Sequence, residues 1–292
     1  MAEEHREVDA VTGTATTGHE WDGIRELNTP LPRWWLWLFY ITIVWSVGYW
    51  VVYPAWPLLT SATEGITGWH ARSAVVTDLE QLKQQRGPLM EKLTGASLAE
   101  IAADPQLLDF SRAVGRVAFA DNCAPCHGAG GAGAKGYPNL NDDDWLWGGK
   151  LADIEATIRH GARAGDDKGR AGNMPAFGRD NLLKPAEISA AADYTRTLSG
   201  LTAEAGADLA LGKKVFADNC AVCHGADGKG NRELGAPNLT DRIWLYGSDK
   251  QAIVQGIQNG RGGVMPVWGG RLSEPVIKSL TLYVHTLGGG EK

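Results

Sequence analysis

The sequence predicts an all-α protein in which one transmembrane helix is followed by two homologous domains, and three observations support this architecture. Near the N-terminus, twenty consecutive residues carry no charge, and most of them are apolar. From residue 115 onward, two segments of the 292-residue chain repeat the same residues in the same order. Glycine-rich loops separate the predicted helices, and no segment shows the clear alternation of polar and apolar residues that is typical of a β-strand.

The uncharged segment covers residues 34–53 and lies between Arg33 and Pro54. About twenty helical residues span the ~30 Å hydrocarbon core of a bilayer, so we predict a transmembrane element at residues 34–57 after a cytoplasmic segment at residues 1–33. A cleaved signal peptide is not expected, because the preceding residues are mostly polar and no small-residue cleavage site follows. Aromatic residues at both ends resemble the interfacial belts of membrane helices: Trp34, Trp35, Trp37, Trp50, Tyr53 and Trp56.

Each repeat contains a Cys-x-x-Cys-His motif, one at residues 123–127 and the other at residues 220–224. In such a motif the two thiols add across the vinyl groups of a porphyrin, and the adjacent histidine reaches the iron. A thioredoxin-like pair or half of a zinc site is the alternative, but neither requires a histidine at the next position. We therefore predict two covalently bound haem c groups. The predicted attachment and iron-binding residues are Cys123, Cys126 and His127 in the first repeat and Cys220, Cys223 and His224 in the second.

One methionine follows each motif at a similar distance, and a proline follows each methionine. These residues, Met174 and Met265, lie in glycine-rich loops rather than on an apolar helical stripe, which argues against a role in core packing. Thioether sulfur binds haem iron and raises its potential relative to a second histidine, so we predict both as sixth ligands. His160 is a rival in the first repeat, but its counterpart is Asn259, which cannot bind iron. The sequence is compatible with ligation within a domain and with ligation across domains.

The repeat sets the limits of the two domains. A Pro-Asn-Leu segment follows each motif, at Pro138 and Pro237. We assign residues 106–200 to the first domain and residues 201–292 to the second, and we expect each to resemble a small class I cytochrome c. Residues 58–105 form a predicted periplasmic connector with a charged helical segment that breaks at Gly87-Pro88 and at Gly95. Covalent haem would supply apolar bulk that a domain of ~85 residues lacks.

The net charge is −6, yet both predicted haem domains are close to neutral, and nothing in the sequence resembles a nucleic-acid-binding surface. Haem c is attached outside the bacterial cytoplasmic membrane, so the chain after the membrane helix is expected in the periplasm. The basic residues agree, since Arg25 and Arg33 precede the helix and Arg72 follows it. We therefore predict a single-pass protein of the bacterial inner membrane, in contact with lipid, with a cytoplasmic N-terminus.

Three further segments carry a family resemblance. Residues 20–35 contain the run Asn-Thr-Pro-Leu-Pro-Arg-Trp-Trp, residues 53–57 read Tyr-Pro-Ala-Trp-Pro, and residues 97–105 read Ser-Leu-Ala-Glu-Ile-Ala-Ala-Asp-Pro. With the two haem domains, they resemble the membrane-anchored dihaem cytochrome c subunit of cbb3-type cytochrome oxidases, called CcoP or FixP. The resemblance covers nearly the whole chain, although some relatives have two membrane spans. It implies a complex with a haem-copper catalytic subunit and a monohaem cytochrome c subunit, which reduces oxygen and pumps protons.

The predicted ligands limit the chemistry of the irons. With histidine and methionine on each iron, both are six-coordinate and leave no open position for oxygen or peroxide. The isolated chain is therefore expected to carry electrons without catalytic residues of its own, whereas the whole complex would be a proton-pumping oxidase. Electrons would pass from a soluble periplasmic cytochrome through the two haems toward the catalytic subunit. A tethered cytochrome that serves another reductase or dehydrogenase is the alternative, and a dihaem peroxidase would need an iron with a displaceable ligand.

Haem stoichiometry tests the two motifs. The purified chain should contain two haems per polypeptide in a pyridine haemochrome assay, because the motif occurs twice. Replacing both Cys123 and Cys126 by alanine removes one attachment site and should leave one haem, as should replacing both Cys220 and Cys223. Two haems in either double variant, or fewer than two in the unmodified chain, would contradict the assignment.

Overall fold

The computed structural model describes residues 7–291 of the chain. Two compact units make up the structure, one up to Gln85 and the other from Arg86 onward. The first unit contains a small hairpin and the long apolar helix. The second contains both Cys-x-x-Cys-His motifs and both methionine loops, so the two repeats belong to one compact unit.

The first unit begins with a two-stranded antiparallel hairpin, β1 (Thr16–Trp21) and β2 (Ile24–Leu27). The last residue of β1 pairs with the first residue of β2 across a turn of Asp22 and Gly23, whose φ angles are 48° and 86°. An Asp-Gly pair between two strands is a strong hairpin signal, because the turn needs a left-handed backbone at both positions. The prediction of an all-α fold is therefore wrong in this detail. The described chain is mostly helical and also contains this small sheet.

Helix α1 spans Arg33–Val52 and covers most of the predicted membrane segment, although it ends five residues before the predicted limit at residue 57. After Arg33 it carries no charged residue, and none of it is buried against the rest of the described chain. Within residues 7–291 it is the one helix that is long and apolar enough to cross a bilayer. The following loop returns to its C-terminal end, where the Ile66 amide donates to the Val51 carbonyl (3.0 Å). This bond satisfies a carbonyl group that a helix end otherwise leaves without a partner.

Two helices form the connector that follows, α2 (Ala71–Gly95) and α3 (Leu98–Ala103). The predicted break at Gly87-Pro88 is not present, because α2 continues through Pro88 to Gly95. Helix α3 starts with a capping box, in which the side chains of Ser97 and Glu100 each accept from the other residue's backbone amide.

In the second unit each repeat has the same order of elements: a helix before the motif, a single turn that contains the motif, a middle helix and a last helix. In the first repeat these are α4 (Pro105–Asn122), α5 (Ala124–His127), α6 (Leu151–His160) and α7 (Pro185–Leu198). In the second they are α8 (Leu209–Val215), α9 (Ala221–His224), α10 (Lys250–Asn259) and α11 (Glu274–His285), with a π-helical turn at Phe216–Cys220.

The two repeats exchange their last helices. Helix α11 of the second repeat packs against α4 and α6 of the first, and α7 of the first packs against α8 and α10 of the second. Two separate apolar cores result, which we call the first lobe (α4, α5, α6 and α11) and the second lobe (α7, α8, α9 and α10). In the first lobe, Phe119 and Ile158 of one repeat contact Ile277 and Leu280 of the other. Each lobe therefore contains residues from both repeats.

A glycine permits the close helix contact in each lobe. A Cβ atom on Gly115 in α4 would lie 2.2 Å from the carbonyl oxygen of Ser279 in α11. A Cβ atom on Gly212 in α8 would lie 2.3 Å from the carbonyl oxygen of Ala190 in α7. No side chain fits at such distances, so the helices approach this closely only because glycine leaves the space empty.

Lys278 of α11 holds the end of α2 against the first lobe. Its Nζ donates to the carbonyl oxygens of Thr94 (2.8 Å) and Ala96 (2.7 Å) at the C-terminus of α2. A cation at this position satisfies terminal carbonyl groups and interacts favourably with the helix dipole. The fully buried Leu93 packs beside Leu282 of α11, so polar and apolar contacts act at the same place.

Gly115→Ala should destabilise the chain. The added methyl group would meet the Ser279 carbonyl group and force α4 and α11 apart, and overpacking of this kind costs about 1–3 kcal/mol. The midpoint of urea unfolding should fall accordingly. Gly95→Ala is the matched control, because Gly95 is helical and no atom lies within 4 Å of its Cβ position. That variant should be neutral or up to about 1 kcal/mol more stable. Equal midpoints for the two variants would contradict the close contact at Gly115.

Candidate haem-binding sites

Each Cys-x-x-Cys-His motif folds as a single helical turn directly after the preceding helix. In the first motif, the Cys123 amide donates to the Phe119 carbonyl (2.8 Å), and the His127 amide donates to the Cys123 carbonyl (2.9 Å). The second motif forms the equivalent turn, α9, after the π-helical turn. The turn places two thiols and an imidazole on one short segment, as attachment to a single porphyrin requires.

A backbone carbonyl group fixes each motif histidine. Nδ1 of His127 lies 3.0 Å from the carbonyl oxygen of Pro138, and Nδ1 of His224 lies 3.0 Å from that of Pro237. A carbonyl oxygen only accepts hydrogen bonds, so Nδ1 carries the proton and Nε2 keeps its lone pair free for a metal ion. Such a bond also orients the ring and increases the basicity of the ligating nitrogen. Burial lowers the pKa of His224, which favours the neutral ring.

Sequence reasoning assigned no role to these two prolines. They act through the backbone, and a backbone acceptor leaves no side-chain signature in the sequence. Pro138 and Pro237 nevertheless stand at equivalent places, 11 and 13 residues after their histidines, and each starts the repeated Pro-Asn-Leu segment. The repetition was the one signal that could have indicated their function.

The cysteines lack the properties of a thioredoxin-like redox pair. Burial, with a smaller contribution from the neighbouring cysteine of each motif, raises the pKa of the Cys123 and Cys220 thiols to about 11. Reactive cysteines in redox pairs have lowered pKa values instead. Within residues 7–291, no group of three or more His, Cys, Asp and Glu side chains is arranged to hold a metal ion. Two thiols on one short turn beside an imidazole with a free Nε2 fit covalently attached haem.

The methionine loops pair with loops of the opposite repeat. The Met174 amide donates to the Arg261 carbonyl (3.0 Å), and the Arg261 amide donates to the Met174 carbonyl (3.3 Å). Met265 and Ala162 form the same reciprocal pair, with both distances 3.0 Å. Each methionine loop is therefore held by the loop that follows the middle helix of the other repeat.

Side-chain packing assigns each methionine to one lobe. Met265 packs against the core of the first lobe, beside Phe119 and Cys123. Met174 packs against the core of the second lobe, which includes Val215 of α8. The structure thus brings Met265 to the lobe of the first motif and Met174 to the lobe of the second, which is one of the two pairings that the sequence left open.

Two glycines that the sequence reasoning did not assign permit this crossing. Gly161 and Gly260 end α6 and α10, with φ angles of 69° and 72°. A Cβ atom would lie 2.4 Å from the Met265 carbonyl oxygen at Gly161 and 2.5 Å from the Met174 carbonyl oxygen at Gly260. Both the left-handed backbone and the close approach require glycine. Their equivalent positions in the repeat were the available signal.

His160, the rival ligand in the first repeat, has a different partner. It is the last residue of α6, and its Nδ1 lies 3.1 Å from Oδ2 of Asp166 in the following loop. The Lys168 amide and His160 both lower the pKa of Asp166, which keeps the carboxylate ionised as an acceptor. The contact of His160 with Asp166 therefore holds the loop that follows α6.

Two equivalent tryptophans differ in their hydrogen bonds. Nε1 of Trp145 donates to the Gly289 carbonyl (2.6 Å), whereas Nε1 of Trp244 is buried and has no partner among the described residues. Both rings pack against the cores of their lobes. Buried donors normally have an acceptor. A carboxylate group of a bound haem would supply one at Trp244, so this atom also fits the predicted cofactor.

Known protein families match three segments of the chain. Residues 13–60 match the N-terminal domain of cytochrome oxidase-cbb3, FixP, and include α1. Residues 113–199 match cytochrome c, and residues 207–284 match cytochrome C oxidase, cbb3-type, subunit III. The last two segments correspond to the two repeats.

Similar curated proteins cover almost the whole chain. The cbb3-type cytochrome c oxidase subunit FixP of Azorhizobium caulinodans is 61% identical over 287 residues, which are 98% of this chain and 97% of the relative. FixP of Bradyrhizobium diazoefficiens is 58% identical, with 99% of both chains covered. Subunit CcoP of Cereibacter sphaeroides is 50% identical, over 94% of this chain and 95% of the relative. This chain belongs to the FixP/CcoP family.

Membership of the FixP/CcoP family confirms the resemblance seen in the sequence. It also confirms the predicted function as a cytochrome c electron-transfer subunit of a cbb3-type cytochrome c oxidase. Its two cytochrome c segments imply haem c as the cofactor. The exposed apolar helix α1 lies inside the segment that matches FixP, which supports anchoring in a membrane.

An acidic cluster lies where the two repeats meet near Trp145. A cavity of about 610 Å³ there is lined by residues that include Asp144, Asp241 and Arg232. Burial raises the pKa of Asp144 to about 6, and the charges of Asp241 and Asp142 add to this effect, while Arg232 opposes it. At neutral pH, Asp144 therefore carries a charge that its surroundings disfavour.

Stability should depend on the ionisation of Asp144. Its folded-state pKa of about 6 exceeds the ordinary value of 3.8, so the folded chain binds a proton more readily than the unfolded chain. The contribution of Asp144 to the free energy of unfolding must then fall as pH rises from about 4 to 6. Asp144→Asn should raise stability at pH 7 by about 1 kcal/mol, after allowance for solvent screening, and should have little effect near pH 4.

Urea unfolding at both pH values measures this difference. Asp167→Asn is the matched control, because it removes the same charge from an exposed loop residue. The prediction is refuted if Asp144→Asn raises the free energy of unfolding no more at pH 7 than near pH 4. It is also refuted if Asp167→Asn raises it by the same amount.

Proposed function

We propose that the chain binds two covalent haem c groups whose axial methionines are exchanged between the repeats. In each lobe, the thiols and one Nε2 atom come from the Cys-x-x-Cys-His turn, and the thioether comes from the other repeat. The reciprocal backbone pairing of the methionine loops supports this assignment. The proposed sets are Cys123, Cys126, His127 and Met265 for the first haem and Cys220, Cys223, His224 and Met174 for the second.

Bound haem c supplies a one-electron Fe(III)/Fe(II) couple. The residues of the chain set the properties of this couple. A thioether ligand raises the potential relative to a second histidine, and the Pro138 and Pro237 carbonyl groups hold each imidazole with Nε2 free. A histidine Nε2 atom and a methionine thioether would hold each iron, and the iron would then have no free position for oxygen or peroxide. The lobes therefore carry electrons and bind no substrate at iron.

We infer that α1 crosses the bacterial inner membrane, with the N-terminus in the cytoplasm and both lobes in the periplasm. Helix α1 carries no charge after Arg33 and has no buried residue, which supports this placement, as does the attachment of haem c outside the cytoplasmic membrane. There the lobes can accept electrons from a soluble periplasmic cytochrome. The electrons then pass to a haem-copper catalytic subunit, with a monohaem cytochrome c subunit as the further partner. The names of the relatives, all subunits of cbb3-type oxidases, support these partners.

Carbon monoxide binding to single-haem variants tests the exchanged ligands. In Cys123→Ala/Cys126→Ala, the one remaining haem should be six-coordinate and should not bind carbon monoxide when reduced. Adding Met174→Ala should open that iron and permit carbon monoxide binding, whereas adding Met265→Ala should not. In the complementary variant Cys220→Ala/Cys223→Ala, adding Met265→Ala should permit carbon monoxide binding, whereas adding Met174→Ala should not. Optical difference spectra of the reduced protein measure each outcome.

Met90→Ala is the matched control for both backgrounds, because Met90 lies in α2 and packs beside Leu93, away from both methionine loops. It should leave both haems closed to carbon monoxide. The opposite result, in which Met265→Ala opens the second haem and Met174→Ala opens the first, would show that each methionine binds the iron of its own repeat. No effect of either methionine would refute both as ligands.

A further inference from the structure

Two arginines lie on the loops that cross between the lobes. The backbone of Arg261 pairs with Met174, and Arg163 directly follows Ala162, whose backbone pairs with Met265. Arg163 therefore lies beside the methionine proposed for the first haem, and Arg261 lies beside the methionine proposed for the second.

The side chain of Arg163 extends toward the histidine side of the second lobe. Its Nε donates to the Gly263 carbonyl, its guanidinium carbon lies 5.7 Å from the ring centroid of Trp147, and a second nitrogen donates to the Gly172 carbonyl (2.7 Å). The Trp147 ring in turn lies on the backbone of Gly235, where a Cβ atom would come within 2.2 Å of it. Gly235 is two residues before the proline that holds His224. Arg163 thus lies between the first methionine site and the second histidine site.

Arg261 contacts the aromatic residue of the second repeat that is equivalent to Trp147, and one of its terminal nitrogens donates to the Ala252 carbonyl of α10 (3.4 Å). Its guanidinium carbon lies 4.0 Å from the ring centroid of Tyr246, within the range of a cation–π contact. The Tyr246 ring lies 3.3 Å from the Cβ position of Gly136, and the Gly136 amide donates to the Leu245 carbonyl (2.8 Å). Gly136 is two residues before Pro138, whose carbonyl group holds His127. Arg261 thus lies between the second methionine site and the first histidine site.

Neither Arg163 nor Arg261 forms an ion pair with a carboxylate of the described residues. Arg163 is also half-buried, and this desolvation lowers its pKa. A charge removed from water normally has a partner of opposite sign.

The backbone of Arg163 is also strained. Its φ angle is 55°, and among the described residues with positive φ it is the one that is neither glycine, asparagine nor aspartate. Strain of this kind is typical of functional positions.

We propose that Arg163 and Arg261 bind haem carboxylate groups at the junction of the two lobes and raise the reduction potentials of both irons. This proposal rests on the proposed haem binding, which brings four carboxylates to the two lobes. A nearby positive charge favours the reduced iron, because reduction removes one positive charge from the site. Since each arginine lies between the two lobes, its charge acts on both haems.

Redox titration of the full chain with both haems tests the proposal. Arg163→Gln and Arg261→Gln should each lower the midpoint potentials of both haems. In each variant, the larger of the two shifts should be about 59 mV, which is a tenfold change in the one-electron equilibrium. Arg163→Lys and Arg261→Lys keep the positive charge. Their midpoint potentials should therefore fall by less than half as much as those of the glutamine variants. Arg179→Gln is the matched control, because it removes an exposed arginine whose ion pair is with the adjacent Asp180. It should leave both potentials unchanged.

Haem content, measured first by pyridine haemochrome, separates the two proposals. Fewer than two haems in the unmodified chain would refute the proposed function itself. Full haem content with unchanged potentials in both glutamine variants would overturn the role of the arginines. The same conclusion follows if lysine lowers the potentials as much as glutamine, since lost packing rather than lost charge would then be the cause. Arg261→Gln gives an independent result should Arg163→Gln fail to accumulate.

Discussion

The exchange of methionine loops and last helices between the repeats is the constraint on which both lobes depend. Each lobe takes its first and middle helices from one repeat and its last helix from the other, and the reciprocal bonds of Met174 and Met265 hold the crossing chains. A small domain buries a smaller fraction of its surface than a large one and is only marginally stable. Neither repeat forms its lobe from its own residues, so folding of one lobe must be coupled to folding of the other. The glycines at 115 and 212 make this coupling possible, because they allow the exchanged helices into contact.

Features defined by short segments were predictable from the sequence. Thioether attachment requires residues at fixed spacing, and a bilayer span requires about twenty apolar residues, so the motifs and α1 follow from local patterns. The hairpin is local as well, but its strands are mostly polar and exposed, and their alternation is weak. The Asp22-Gly23 turn was its clearest signal. Pro88 was interpreted as a helix break, yet α2 accommodates it.

The pairing between the repeats could not be predicted in the same way. Met174 and Met265 lie in equivalent loops, so exchanged and unexchanged arrangements place the same residue types at the same positions of each lobe. Only long-range contacts, such as that of Gly115 with Ser279, distinguish the two arrangements. The carbonyl groups that hold the histidines belong to the backbone, and the sequence carries no direct record of them.

The exchange also fixes the separation of the two lobes. Domains joined only by a linker are expected to move relative to each other. Here two chain crossings join the lobes, and Trp147 of one repeat lies directly on Gly235 of the other. The two surroundings are nevertheless unequal, since Trp145 has a backbone acceptor and the buried Trp244 donor has none among the described residues. A shared framework suits an electron relay, because it holds the two lobes at a constant distance, and the unequal polar contacts leave the two proposed haems in different surroundings.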